Sequence, residues 1–201
     1  MMNQIMLRGV LKDIEHSHDI DKISFSKAKL ITKRTNGQED VINLKFKSFS
    51  NKYKDNDEVE LLGNIRSYSR KTEDNKNKVT IYVFTYFDSP EDEIEGNNIV
   101  SIDGRICKLN DLRHNRSGKD NIHFIIANNL VSSDNSRRLN SYIPCIAWGQ
   151  AAKAIAELSV STRIKITGEL HSREHKKVHP DGEVEFRVAH ELLVLGFEVL
   201  E

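Results

Sequence analysis

The chain has 201 residues, enough for one domain or two small ones with modest cores. Its 30 basic and 30 acidic residues cancel to zero net charge, so no global basic field marks a polyanion partner and any such site must be a local patch. No apolar run approaches the ~20 residues of a membrane span, and two isolated cysteines, Cys107 and Cys145, give neither a disulfide framework nor a zinc site.

Met1 to Ile5 enters a strand-like segment without a signal peptide's apolar core, so a cytoplasmic protein is expected. Ile5 to Leu11 is the first strand, with Gly9 inside it where glycine marks a bulge or close bend. A polar turn at His16-Ser17-His18-Asp19 precedes a second strand from Ile23 to Ile31, and Asn36-Gly37 signals a hairpin. In the third strand, Val41 to Phe49, Ile42, Leu44 and Phe46 share one face while Asn43, Lys45 and Lys47 share the other. Val59 to Ile65 is the fourth, Arg66 to Lys78 a polar hairpin, and Val79 to Phe87 a closing β-branched and aromatic run. The acidic, proline-led stretch 89–97 reads as a linker between units at 1–88 and 98–201.

Beyond it the order recurs. Ile99 to Ile106 mirrors the first strand, with Gly104 for Gly9; Ile122 to Leu130 mirrors the second, Tyr142 to Trp148 the third, and Arg163 to Gly168 the fourth. The matching glycines lie 95 residues apart for Gly9 and Gly104 but 105 for Gly63 and Gly168; the run of helix formers Ala151 to Leu158 fills most of the difference. An internal duplication of five short strands, with a helix after the third in the second copy, predicts an all-β protein of two tandem five-stranded Greek-key barrels of the OB type. Such barrels bind oligonucleotides across one face; a pair used only as a protein-interaction scaffold is the alternative.

The second unit resembles the bacterial single-stranded DNA-binding protein family. The resemblance rests on Tyr142-Ile143-Pro144-Cys145-Ile146-Ala147-Trp148-Gly149, the alanine helix, Thr162 to Arg173 and Glu183 to Val194, and spans Asn98 to Leu195. The first unit is similar mainly through its correspondence to the second, most visibly at Gly63-Asn64-Ile65-Arg66-Ser67-Tyr68-Ser69-Arg70-Lys71. The resemblance implies sequence-independent coating of single-stranded DNA in replication, recombination and repair, no catalysis, no cofactor, and a nucleoid-associated location. Because the family gathers four such folds, two per chain imply a homodimer. A primosome accessory protein of the same fold is the runner-up. The family commonly ends in a flexible tail that recruits repair and replication proteins; this sequence stops at Glu201, either because such a tail has been removed or because there is none, and only in the second case is the recruiting role in question.

A non-specific coat needs flat faces for bases and cations for phosphates. In the family the residue before the strand-ending glycine and the one six earlier are stacking aromatics, which matches Trp148 and Tyr142; the alternative for Trp148 is a core position. The hairpin beyond Gly168 supplies His171, Arg173, His175, Lys176 and Lys177, with a histidine at 175 where the family usually has an aromatic. Corresponding residues of the first copy are Arg66, Tyr68, Arg70 and Lys71, in a span 63–78 with five basic and two acidic residues, and its third strand carries Lys45 and Lys47. These positions suggest a division of labour, phosphate contacts in the first copy and stacking in the second. Lys33-Arg34, Arg113 to Arg116 and Arg137-Arg138 read as solvated loop tips. His171, His175 and His179 lie four apart in a hairpin, not on one helical face, so no metal site is expected. Neither a nucleophile elbow nor a phosphate-binding glycine loop occurs.

Overall fold

Alternation of apolar and polar residues turns most of the chain into strands, because a two-residue period sends every second side chain to one face. A computed structural model describes residues 1–48, 53–71, 77–85, 96–115, 117–131, 138–178 and 184–201; the side chains at 77, 78, 131, 138, 175, 177, 178 and 185–187 lie outside that description. The first half holds β1 (Asn3–Ile20), β2 (Ile23–Lys33), β3 (Glu39–Lys47), β4 (Glu58–Lys71) and β5 (Asn77–Thr85). β1 pairs with both β2 and β4, β2 with β3, and β4 with β5; a parallel contact of β3 with β5 closes the barrel.

The second half holds β6 (Asn98–Leu109), β7 (Arg113–His114), β8 (Asp120–Val131), β9 (Arg138–Trp148), α1 (Gly149–Ala156), β10 (Arg163–Val178) and β11 (Val184–Leu200). Its pairing repeats that of the first: β6 with β8 and β10, β8 with β9, β10 with β11, and a parallel contact of β9 with β11. Both halves are OB-fold barrels. The alternating residues fill them, with Ile42, Leu44 and Phe46 buried in the first and Ile143, Cys145 and Ala147 in the second. Closure also explains the repeated glycines. A Cβ on Gly9 would stand 2.3 Å from the carbonyl oxygen of Ile31, and one on Gly104 would stand 2.9 Å from that of Ala127.

Several boundaries differ from the sequence reading, and β10, like β1 and β4, runs on past its expected end, from Gly168 to Val178. β1 runs past Leu11 to Ile20, so His16 to Asp19 are strand residues; the turn is Asp21-Lys22, both at positive φ (45° and 68°), as a tight hairpin needs. β4 likewise continues to Lys71, so Arg66 to Lys71 belong to a strand, and the hairpin tip at 72–76 lies outside the described residues. Arg113-His114, read as part of a loop, pairs with Asn121 and Asp120. Most of the expected linker, its residues 89–95, also lies outside the described residues.

The barrels join through antiparallel pairing of β1 with β6, in which Ile5 faces Val100, its own counterpart in the repeat. The junction therefore has a pseudo-two-fold axis, and its hydrogen bonds come in matched pairs. Arg8 N donates to Asn97 O as Asp103 N donates to Met2 O. Asn3 is bonded through its amide to both N and O of Ile65, and Asn98 treats Leu170 the same way. Ser67 Oγ accepts from Tyr142 N at 2.7 Å, and Ser172 Oγ accepts from Val41 N at 2.9 Å.

Candidate nucleic-acid interface

On the second barrel, β9 puts Tyr142 and Trp148 outward, 48% and 39% exposed. Trp148 is thus a surface residue and not a core one. Gly149 follows it at φ +60°, a left-handed step that ends the strand and starts α1, whose Ala152 and Ile155 are buried in the core. Strand register sets Asn121 opposite Trp148, His123 opposite Ile146 and Ile125 opposite Pro144, so the ground between the aromatics is largely apolar. On β10, Arg173 and Lys176 are exposed. His171 is not a free cation of the hairpin: it is half-buried and its Nε2 lies 2.7 Å from Glu169 Oε2. Alternation places His171 and Arg173 on one face and Lys176 on the other.

The first barrel's face is built differently. Lys45 Nζ sits 4.9 Å from the Tyr68 ring centre and 4.7 Å from that of Tyr82, and the two rings lie 6.0 Å apart. This cation–π pairing holds the ammonium between two phenols, with Tyr68 still 43% exposed. Tyr82 was missed by sequence reasoning because it lies in a run that fills the core. The readable signal was the alternation itself: Ile81 and Val83 are buried, so Tyr82 must point out. Burial raises the Tyr82 phenol above its ordinary pKa, with Arg66 opposing. Lys47 is exposed opposite Phe25, whose ring stacks on His18 at 5.0 Å. Lys27 and Lys29 stand opposite Lys45 and Asn43 in the register. Arg66 lies opposite Tyr82, and Arg70 and Lys71 are exposed near the end of β4. The presence of two tyrosines beside these lysines makes the first face mixed, rather than cationic alone.

Between the barrels, Arg34 is not the solvated tip expected of it. Its guanidinium grips the fully buried Asp40 through two bonds of 2.7 and 2.6 Å, and Asp40 accepts from Ser172 N at 2.6 Å. Burial acts to raise the Asp40 carboxyl, but the bonds from Arg34 and Ser172 outweigh it and hold the group below its ordinary value. Beside this latch His190 Nε2 donates to Val41 O at 2.7 Å, and burial lowers its pKa. The adjoining groove, about 510 Å³, is lined by Val41, His171, Arg173 and Val188 among others. Sequence gave no sign of this latch, because Arg34 and Asp40 meet Ser172 only when the barrels pack. Among the described residues no group of side chains has the makings of a metal site, and no helix is long and apolar enough to cross a membrane.

These features define a tandem OB-fold protein with aromatic and cationic side chains on the outer faces of both barrels. Residues 97–193, the second barrel, match the family model of the single-strand binding protein family. The whole chain also superposes on wild-type single-stranded DNA binding protein from Thermus aquaticus, with a TM-score of 0.71, 16% identity, and coverage of 100% of this chain and 93% of that one. A deletion variant of the same Thermus aquaticus protein gives a TM-score of 0.71 and 16% identity, covering 100% of this chain and 95% of the other. At that identity the likeness speaks for the fold, and it extends to both barrels. A comparison with curated proteins finds no significant match.

Proposed function

We propose that this protein binds single-stranded DNA without sequence preference and coats it during replication, recombination and repair, as a cytoplasmic, nucleoid-associated protein. The observation that carries this reading is the exposed pair Trp148 and Tyr142 on the outer face of the second barrel's third strand. Large flat rings held out of the core are stacking platforms for any base, at about 1–3 kcal/mol per base in proteins of this kind. Tyr68 is the platform of the first barrel. Lys45, Lys47, Arg66, Arg70 and Lys71 on the first barrel, with Arg173, His175, Lys176 and Lys177 on the second, track the phosphates. Two barrels per chain favour a homodimer that presents four, and replication or repair proteins are the expected protein partners.

The test is a fluorescence titration with oligo-dT at low salt and again at higher salt. With one tryptophan the signal has a single source. Strong quenching that salt weakens, together with weaker binding of Trp148→Ala to fluorescently labelled oligo-dT, supports the proposal. Absence of binding at low salt would leave a protein-interaction scaffold. Light scattering tests the dimer, which should weigh twice the 23.1 kDa of one chain.

A further inference from the structure

We propose that the groove on the outer face of the first barrel is a nucleotide anchor, in which a backbone phosphate displaces Asp13 and Glu15 from Lys29 and Lys27 while the base lies against Tyr68. This rests on the single-stranded DNA reading above and adds a defined subsite to it. The groove holds about 340 Å³ and is lined by Lys27, Lys29, Lys45, Tyr68 and Tyr82 together with the two carboxylates. That volume lies within the about 300–1,000 Å³ typical of small-ligand sites.

The chemistry of the lining is that of a base with its phosphate. Tyr68 offers a half-exposed ring face, and Lys45 is fixed over that ring and the Tyr82 ring, so its charge stays in the groove. Lys27 and Lys29 form the cationic rim, but neither is unoccupied. Lys27 Nζ is 2.9 Å from Glu15 Oε2, and Lys29 Nζ is 2.7 Å from Asp13 Oδ2. Each carboxylate puts an anionic oxygen where a phosphate oxygen would bind. All four side chains are at least half exposed, and ion pairs of that kind exchange readily for another anion.

The backbone supports a built arrangement. β1 shifts register against β2 between Lys12 and Glu15, and within that shift Asp13 adopts a left-handed φ of 53°. Bulges of this kind re-aim side chains, and residues in sparsely populated backbone regions gather at working sites. At the positions matching Lys27 and Lys29 the second barrel carries His123 and Ile125 instead. In the first barrel the two carboxylates cancel two of the three lysines, so a phosphate must compete for its contacts. The acidic arm therefore holds affinity down.

The test uses the full chain and fluorescently labelled oligo-dT. Asp13→Asn with Glu15→Gln removes both charges, and asparagine also tolerates the left-handed backbone, so the fold should survive with its melting temperature little changed. The double variant should bind roughly three- to twentyfold tighter at low salt. Lys27→Gln with Lys29→Gln should cost more affinity in that background than in the unmodified chain, where the lysines are already engaged. As a control for charge in general, Glu198→Gln removes a carboxylate paired with Lys165 at 3.4 Å on the other barrel. An equal gain there, or no gain from the double variant while the unmodified chain binds, would overturn the anchor. Failure of the unmodified chain to bind oligo-dT at any salt would instead overturn the parent reading, and the anchor with it.

Discussion

The two barrels follow one backbone plan and hold different side chains outward. At matching positions of the second and third strands, the second barrel carries His123, Ile125, Pro144, Ile146 and Trp148, where the first carries Lys27, Lys29, Asn43, Lys45 and Lys47. Their inward faces, by contrast, are predominantly apolar, and both repeat the buried asparagine and the tight glycine. The difference teaches where each kind of information lies. Inward positions are fixed by close packing and hydrogen-bond satisfaction, whereas exposed positions change with little effect on stability and are free to specialise.

The shared scaffold should be most sensitive where the copies agree. Asn98→Leu strips partners from the buried N–H and carbonyl of Leu170, at about 1–3 kcal/mol for each group left unpaired. Asn3→Leu should cost more, because its amide also donates to Asn128 of the other barrel at 2.9 Å. Urea unfolding of the two variants side by side measures this, and equal losses would mean that the cross-barrel bond adds nothing.

Binding should be most sensitive where the copies differ. Trp148→Ala is expected to lower oligo-dT affinity by about 1–3 kcal/mol. Tyr68→Ala should fall at the lower end of that range, since Lys45 already covers part of the ring. A larger loss at Tyr68 than at Trp148 in the same titration would reverse the assignment of the main platform. Lys45→Gln should reduce the slope of log affinity against log salt by about 0.7, the value for one phosphate contact on a single strand, whereas Ile146→Gln at the matching position should leave it unchanged.

The smallest effect is expected at the junction, from acid. His190 has a folded pKa below its ordinary 6.5. Its contribution is therefore complete above that pH and is lost as pH falls below it. Asp40, held below its ordinary 3.8, contributes fully above that value and fails only in stronger acid. Thermal unfolding at pH 7.5 and pH 5.5 should show a loss that His190→Gln diminishes; identical pH profiles would remove His190 from the account.

Much of this was legible beforehand. The repeat, the strand faces and the outward position of Trp148 follow from a two-residue period read along Val41 to Lys47 and Tyr142 to Trp148. Hairpin ends were read less well: His16 to Asp19 and Ser69 to Lys71 are polar because the arms project beyond the barrel, where both strand faces meet water, and polarity there mimics a turn. Tyr82 was hidden inside a run whose alternate members are core.

The sequence by itself determined the number of barrels, the composition of their cores and the aromatic character of the second face, because alternation and repetition are local and additive. Only the tertiary structure decided that Ile5 would pair with its own counterpart Val100, that Asp40 would take both Arg34 and the amide of Ser172, and that Asp13 and Glu15 would occupy Lys29 and Lys27. Each of these depends on distance between residues far apart in the chain or across a bulged register, and strand period carries no information about such distances.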